Sequence, residues 1–164
     1  TLDPTRPCGE IICTNAPAEL LCSGERSVAV CERVLNAAAV LLAFEQVGGA
    51  TRFLEISRDY SLERKAFGRQ IGSFQALKHK MADIYTANEL ARVHAYYGAW
   101  ALSSDAPELP VAAAAARVAA SVAFNRAAEE GIEIHGGIGF TWEMDCHLYM
   151  RRARHLAQLI EEQA

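Results

Sequence analysis

Proline is scarce beyond the first few residues of this 164-residue sequence: Pro4, Pro7 and Pro17 punctuate its start, and only Pro107 and Pro110 follow. A helix interior does not accept proline, so the long proline-free stretch from residue 27 to 106 is open to helix formation. Cysteine is present but unpatterned. Cys8, Cys13, Cys22, Cys31 and Cys146 are odd in number and include no Cys-x-x-Cys pair, which argues against a disulfide framework and against a zinc site. Buried free thiols in a reducing cytoplasm are expected.

An excess of positive charge is also missing. The formal net charge is −4, and the 16 Lys and Arg are spread along the chain, so no nucleic-acid footprint is visible. No uninterrupted apolar run approaches the ~20 residues that cross a bilayer, so no membrane span is expected. The sequence opens with neither a signal-peptide pattern nor an initiator methionine.

What is present is ordinary globular composition, 51% apolar and 22% charged, enough for one domain with a stub of another. Residues 1–24 form the stub. Glu10-Ile11-Ile12-Cys13-Thr14 is β-compatible and is followed by the turn-like Asn15-Ala16-Pro17. A lone strand is not stable in water, so this one belongs to a sheet the chain does not contain.

From residue 25 to 164 the pattern is helical. A first helix is expected from Ser27 to about Arg58, with Gly48-Gly49 marking a site where another backbone comes close. A polar connector, Asp59 to Gly72, leads to Ser73 as the cap of a second helix. Phe74, Leu77, Met81, Ile84, Ala91, Ala95 and Leu102 form its buried stripe, interrupted by Asn88. Asp105-Ala106-Pro107 ends that helix, and Pro110 suits the first turn of an Ala-rich third one that stops at Gly136-Gly137. A fourth helix starts between Trp142 and Asp145, with acidic residues early and arginines later, as the macrodipole favours. Four helices with short connectors predict an all-α fold, an antiparallel four-helix bundle carrying a short N-terminal β remnant.

Two segments hold chemistry. Arg64-Lys65-Ala66-Phe67-Gly68-Arg69-Gln70-Ile71-Gly72-Ser73-Phe74-Gln75 puts arginines, glycine amides and a helix start close together, which fits an anion-binding loop or a plain polar turn. Glu133-Ile134-His135-Gly136-Gly137-Ile138-Gly139-Phe140-Thr141-Trp142-Glu143 has three glycines in four residues, which fits close approach of a ligand or a helix C-cap. His79 and His94 read as helix-surface residues, and His135 as a packed or capping one.

Together the segments resemble the acyl-CoA dehydrogenase family. The Arg-x-x-Phe-Gly-x-x-Ile-x-x-Phe-Gln run with Lys78 and Met81-Ala82-Asp83 is similar to the pattern between the first two helices of its C-terminal domain. Ile-His-Gly-Gly-Ile-Gly-Phe-Thr-Trp-Glu, then Leu148-Tyr149-Met150-Arg151-Arg152-Ala153-Arg154, is similar to the stretch after the third. Residues 1–24 then resemble the tail of the family's middle β-domain and linker, and 25–164 the C-terminal bundle.

The resemblance implies FAD, held between the β-domain of one subunit and the helical domain of another. It implies Arg64 at the pyrophosphate, Phe74 and Gln75 at the nucleotide, and Glu133, Ile134, His135, Gly136 and Gly137 around the ADP part. Glu133 departs from the Gln usual in the family. The implied reaction is α,β-desaturation of an acyl-CoA: a carboxylate takes the α-proton while the β-hydrogen leaves as hydride to the flavin. The family places that base either near the end of the fourth helix, where Ile160 aligns beside Glu161 and Glu162, or early in the first, where Ala38 stands. Ala39 replaces the family's substrate-holding Arg, and Asn36 its Asp. The catalytic base is therefore unassigned. The implied partners are an acyl-CoA substrate and further subunits, in a homo-oligomer or in a mixed tetramer with a related chain. The alternatives are a non-catalytic partner subunit and a flavin monooxygenase on the same fold.

Overall fold

The computed structural model describes residues 2–159. It contains four α-helices: α1 (Glu25–Glu63), α2 (Gln75–Ser103), α3 (Leu109–His135) and α4 (Cys146–Gln158). Consecutive helices run antiparallel. Along α2 and α3, buried Ala101 faces Ala112 at one end, and Lys80 pairs with Glu130 and Glu133 at the other. By contrast α1 and α3 run parallel across the bundle, with Ala39 near Ala112 and Ala50 near Phe124 and Ala127. The antiparallel four-helix bundle expected from the sequence is the fold observed.

Small residues set the spacing. Ala43, Ala91, Ala95, Ala116, Ala120 and Ala123 fill the middle of the core. Two phenylalanines seat on glycines of the opposite helix. A Cβ on Gly49 of α1 would lie 2.6 Å from Phe124 Cζ, and one on Gly131 of α3 would lie 2.4 Å from Phe53 Cε1. The expected close approach at Gly48-Gly49 is thus made at Gly49, by an aromatic ring rather than a backbone. Gly48 has nothing within 4 Å of the Cβ position. The Ala-rich face of α3 is internal: Ala112, Ala113, Ala116 and Ala120 are buried within the bundle.

Helix α1 begins before Ser27 and runs past Arg58 to Glu63, because Ser57 and Ser61 face inward. The Ser57 hydroxyl donates to Phe53 O at 2.8 Å, and Ser61 is packed against Gly72. Ser73 does not cap α2. Its hydroxyl donates to Gln70 O, and extended Phe74 occupies the cap position instead. The interruption at Asn88 is absorbed inside the bundle, where its amide donates to Thr51 Oγ1 at 2.8 Å.

One sequence expectation is corrected. Glu10–Thr14 forms no strand, since the chain supplies no neighbouring strand to pair with, and Ile11 and Ile12 are exposed. Helix α1 is long and apolar enough to cross a membrane by length and composition alone, a test that a core helix also passes: one 18-residue window has a mean hydropathy of 1.7 and is 17% buried. Counting uninterrupted runs misses it because a few polar residues, Glu32, Arg33 and Asn36, break the run without lowering the average much.

The N-terminal segment is tied down by charge. Arg152 of α4 pairs with Asp3 through Nε and with Glu45 of α1 through Nη1 at 2.7 Å, while Arg6 pairs with Glu45 at 2.8 Å. Asp3 is fully covered. Burial alone would raise its pKa, but hydrogen bonds from Thr5 and Arg152 outweigh this and bring it down to about 2. The thiols differ from expectation: Cys146 is buried, whereas Cys8, Cys13 and Cys31 are exposed. Burial pushes the Cys146 thiol up to about 11, so it is not a ready nucleophile.

Candidate functional site

The end of α1, the start of α2 and the end of α3 meet at one end of the bundle. Between them lies a cleft of about 530 Å³, lined among others by Tyr60, Arg64, Phe67, Phe74, Glu133, His135, Gly136 and Gly137. Ile134 lines it too, so both sequence segments converge here although they are about 70 positions apart. Gln75, the first residue of α2, is exposed and stands outside the lining.

The connector between α1 and α2 is shorter than expected and holds a small hairpin. Lys65–Ala66 (β1) pairs antiparallel with Arg69–Gln70 (β2) around a two-residue turn. Phe67 and Gly68 both have positive φ, 53° and 79°, as tight hairpin turns require. This conformation is costly for Phe, whose side chain is nevertheless 95% exposed at the tip. The Arg69 guanidinium lies 4.0 Å from the Phe74 ring centroid and stiffens the base of the hairpin.

Arg64 closes α1, donating its backbone N–H to Tyr60 O at 2.9 Å. Its side chain is exposed and makes no ion pair among the described residues. Helix α2 starts beside it with no side-chain cap, which leaves the positive end of a 29-residue helix facing this region. An unpaired guanidinium and an uncapped helix N-terminus are what an anionic ligand requires.

The opposite wall is the end of α3. Gly136 caps that helix at φ 64° and ψ −141°, a conformation restricted to glycine. No atom lies within 4 Å of a Cβ position at Gly136 or Gly137, so a ligand can approach this backbone. Gly139, by contrast, is needed for packing, with Ile132 O at 2.8 Å. His135 is 3% exposed and is packed as expected, its ring between Tyr60 at 4.5 Å and Phe53 at 5.9 Å. Its Nδ1 lies 2.7 Å from Gly131 O. A carbonyl only accepts, so Nδ1 carries the proton, and Nε2 is left buried without a protein partner.

Glu133 is not isolated. Lys80 Nζ sits 2.8 Å from its Oε2 and also binds Glu130. Hydrogen bonds donated to Glu130 and Glu133 raise the Lys80 pKa, so the ammonium stays charged. Sequence reasoning missed Lys80 and Tyr60. Each faces its partner only once the helices have packed, and neither belongs to a recognisable spacing.

A second, larger cleft of about 740 Å³ runs between α1, α3 and α4, with Asn36, Ala39, Arg117, Ser121 and Ala157 in its lining. Arg117 donates to the Leu156 and Ala157 carbonyls and holds down the end of α4. The base candidates Ile160, Glu161 and Glu162 lie outside the described residues. His79 and His94 are exposed on α2. Among the described residues no group of three or more His, Cys, Asp or Glu is placed to hold a metal ion.

Residues 28–159 match the family model described as acyl-CoA dehydrogenase, C-terminal domain. The chain is 45% identical over 163 residues to acyl-CoA dehydrogenase IpdE2 of Mycobacterium tuberculosis, covering 98% of this chain and 46% of the relative. It is 42% identical to acyl-CoA dehydrogenase FadE34 of the same organism, covering 92% of this chain and 20% of the relative. The chain thus spans less than half the length of these curated relatives. Among solved structures, butyryl-CoA dehydrogenase from Megasphaera elsdenii superimposes with a TM-score of 0.81 at 27% identity, over 86% of this chain and 37% of that one. The ChsE4-ChsE5 complex of Mycobacterium tuberculosis gives 0.75 at 27% identity, over 82% and 36%.

Proposed function

The chain belongs to the acyl-CoA dehydrogenase family, and from that premise we propose that it is the C-terminal bundle of a flavin-dependent acyl-CoA dehydrogenase, completing the FAD site of a neighbouring subunit. One observation carries this reading: the two motif segments form opposite walls of a single cleft, with an unpaired arginine, an uncapped helix start and an open glycine edge. The residues fit the nucleotide end of FAD. Arg64 and the α2 N-terminus suit the diphosphate, Gly136 and Gly137 let the ADP part approach, and the buried Nε2 of His135 lacks a donor. When bound, the flavin supplies the two-electron acceptor for α,β-desaturation of an acyl-CoA.

The acyl end of the reaction is assigned to the larger cleft. Asn36 and Ala39 line it on α1 and Ala157 on α4, which supports this reading. The uncovered apolar surface supports assembly with other domains and subunits. Leu35 and Leu41 on α1, Tyr96 and Trp100 on α2, and Val118 and Val122 on α3 are all exposed. A second reading, a partner subunit without its own base in a mixed complex, is supported by Ala38 and Ala39 at the early base position. The compartment proposed is cytoplasmic, supported by five free thiols.

Anaerobic mixing of the full-length assembly with a panel of acyl-CoA thioesters tests the proposal. Bleaching of flavin absorbance is expected, while this chain alone gives no turnover with a dye acceptor. A colourless assembly, or turnover by the chain alone, would refute it.

A further inference from the structure

Glu133 places a carboxylate on the wall of a cleft read as binding a diphosphate, where its charge opposes the ligand. The structure supplies a remedy. Lys80 reaches across from α2 to Glu133 Oε2 at 2.8 Å, and its other contact, Glu130, lies one turn earlier on α3. Neither Lys80 nor Glu130 lines the cleft, so the ammonium grips the carboxylate from behind rather than competing for the ligand. Glu133 Oε1 makes no hydrogen bond among the described residues.

Resting on the flavin reading above, we propose that Lys80 is a positioning residue that neutralises and pins Glu133, so that Oε1 accepts from hydroxyl or amino donors of the bound nucleotide instead of repelling its phosphates. A glutamine at position 133 needs no such partner. The cluster Lys80, Glu130 and Glu133 keeps a formal charge of −1, which leaves phosphate binding to Arg64 and the α2 N-terminus.

The test uses the flavin-loaded full-length assembly and follows FAD release by the recovery of free flavin fluorescence. The variants are Lys80→Met, Lys80→Arg, Lys80→Met with Glu133→Gln, and Arg64→Ala as the reference for the site itself. Lys80 is half-exposed, so Lys80→Met is expected to weaken FAD retention about two- to fivefold at low salt, with the difference shrinking as salt rises. Lys80→Arg keeps retention, and Glu133→Gln restores it in the Lys80→Met background. The inference is overturned if Lys80→Met matches the parent while Arg64→Ala releases flavin, or if Glu133→Gln gives no rescue. A parallel loss of helix on melting would show a structural role and overturn it as well. Flavin retention unchanged in Arg64→Ala would instead remove the site reading on which the proposal rests.

Discussion

Gly48 and Gly49 are neighbours in α1, yet a methyl group added at each is expected to change stability in opposite directions. At Gly49 the new Cβ would sit 2.6, 2.9 and 3.0 Å from three ring carbons of Phe124, well inside the ~3.5 Å of ordinary carbon contact. Phe124 is 1% exposed and wedged among Ile84, Ile134 and Leu156, so its ring has nowhere to retreat by the ~1 Å required. Overpacking of this kind costs about 1–3 kcal/mol, offset by up to ~1 kcal/mol from the better helix propensity of alanine. Gly49→Ala should therefore lose about 1–2 kcal/mol. At Gly48 nothing lies within 4 Å, so Gly48→Ala keeps the propensity gain of about 1 kcal/mol. In circular-dichroism melts of the chain, the first variant should fall by about 2–8 °C and the second rise by about 2–4 °C. Phe124→Leu should lessen the Gly49→Ala penalty, a coupling of about 1 kcal/mol in a double-mutant cycle. If Gly49→Ala melts at or above the parent, the ring-on-glycine account of α1–α3 packing is wrong.

Three further outcomes are expected. The low pKa of Asp3, about 2 against the ordinary 3.8, contributes stability that is present above pH ~4 and lost as pH falls to about 2. Asp3→Asn should cost about 1–2 kcal/mol at pH 7 and little once the pH is well below 2; an equal cost at both would remove the ionic latch to Arg152. In a timed alkylation read by mass spectrometry, Cys8, Cys13 and Cys31 should label in the native chain and Cys146 only on unfolding; native labelling of Cys146 would contradict its burial and its pKa of about 11. The exposed valines, leucines and aromatics on α1–α3 predict concentration-dependent self-association in sedimentation, and a monomer at high concentration would count against an assembly face.

The sequence made the bundle legible because helical periodicity and chain punctuation are local signals. Pro110 lies in the first turn of α3 and Gly136 caps its end, as the sequence suggests. The Ser73 cap was misread because a hydroxyl in front of a helical run satisfies many backbones, and here it serves the turn before. The candidate site was legible as two motifs. Its electrostatics were not, since the Lys80–Glu133 pair depends on how α2 sits against α3. The same holds for the Asp3–Arg152 pair, whose partners are 149 positions apart. Only the folded chain shows that the Ala-rich face of α3 looks inward, leaving the valines outside.

The most direct measurement is the flavin content of the full-length assembly carrying Arg64→Ala. Loss of a charge-assisted contact to the diphosphate costs about 1.5–3 kcal/mol, so retention should drop about ten- to a hundredfold with the bundle still folded. Arg64→Lys should rescue only in part, since the charge returns without the guanidinium fork. Flavin content and melting temperature unchanged in Arg64→Ala would mean that the loop is a connector and the cleft is not the cofactor site.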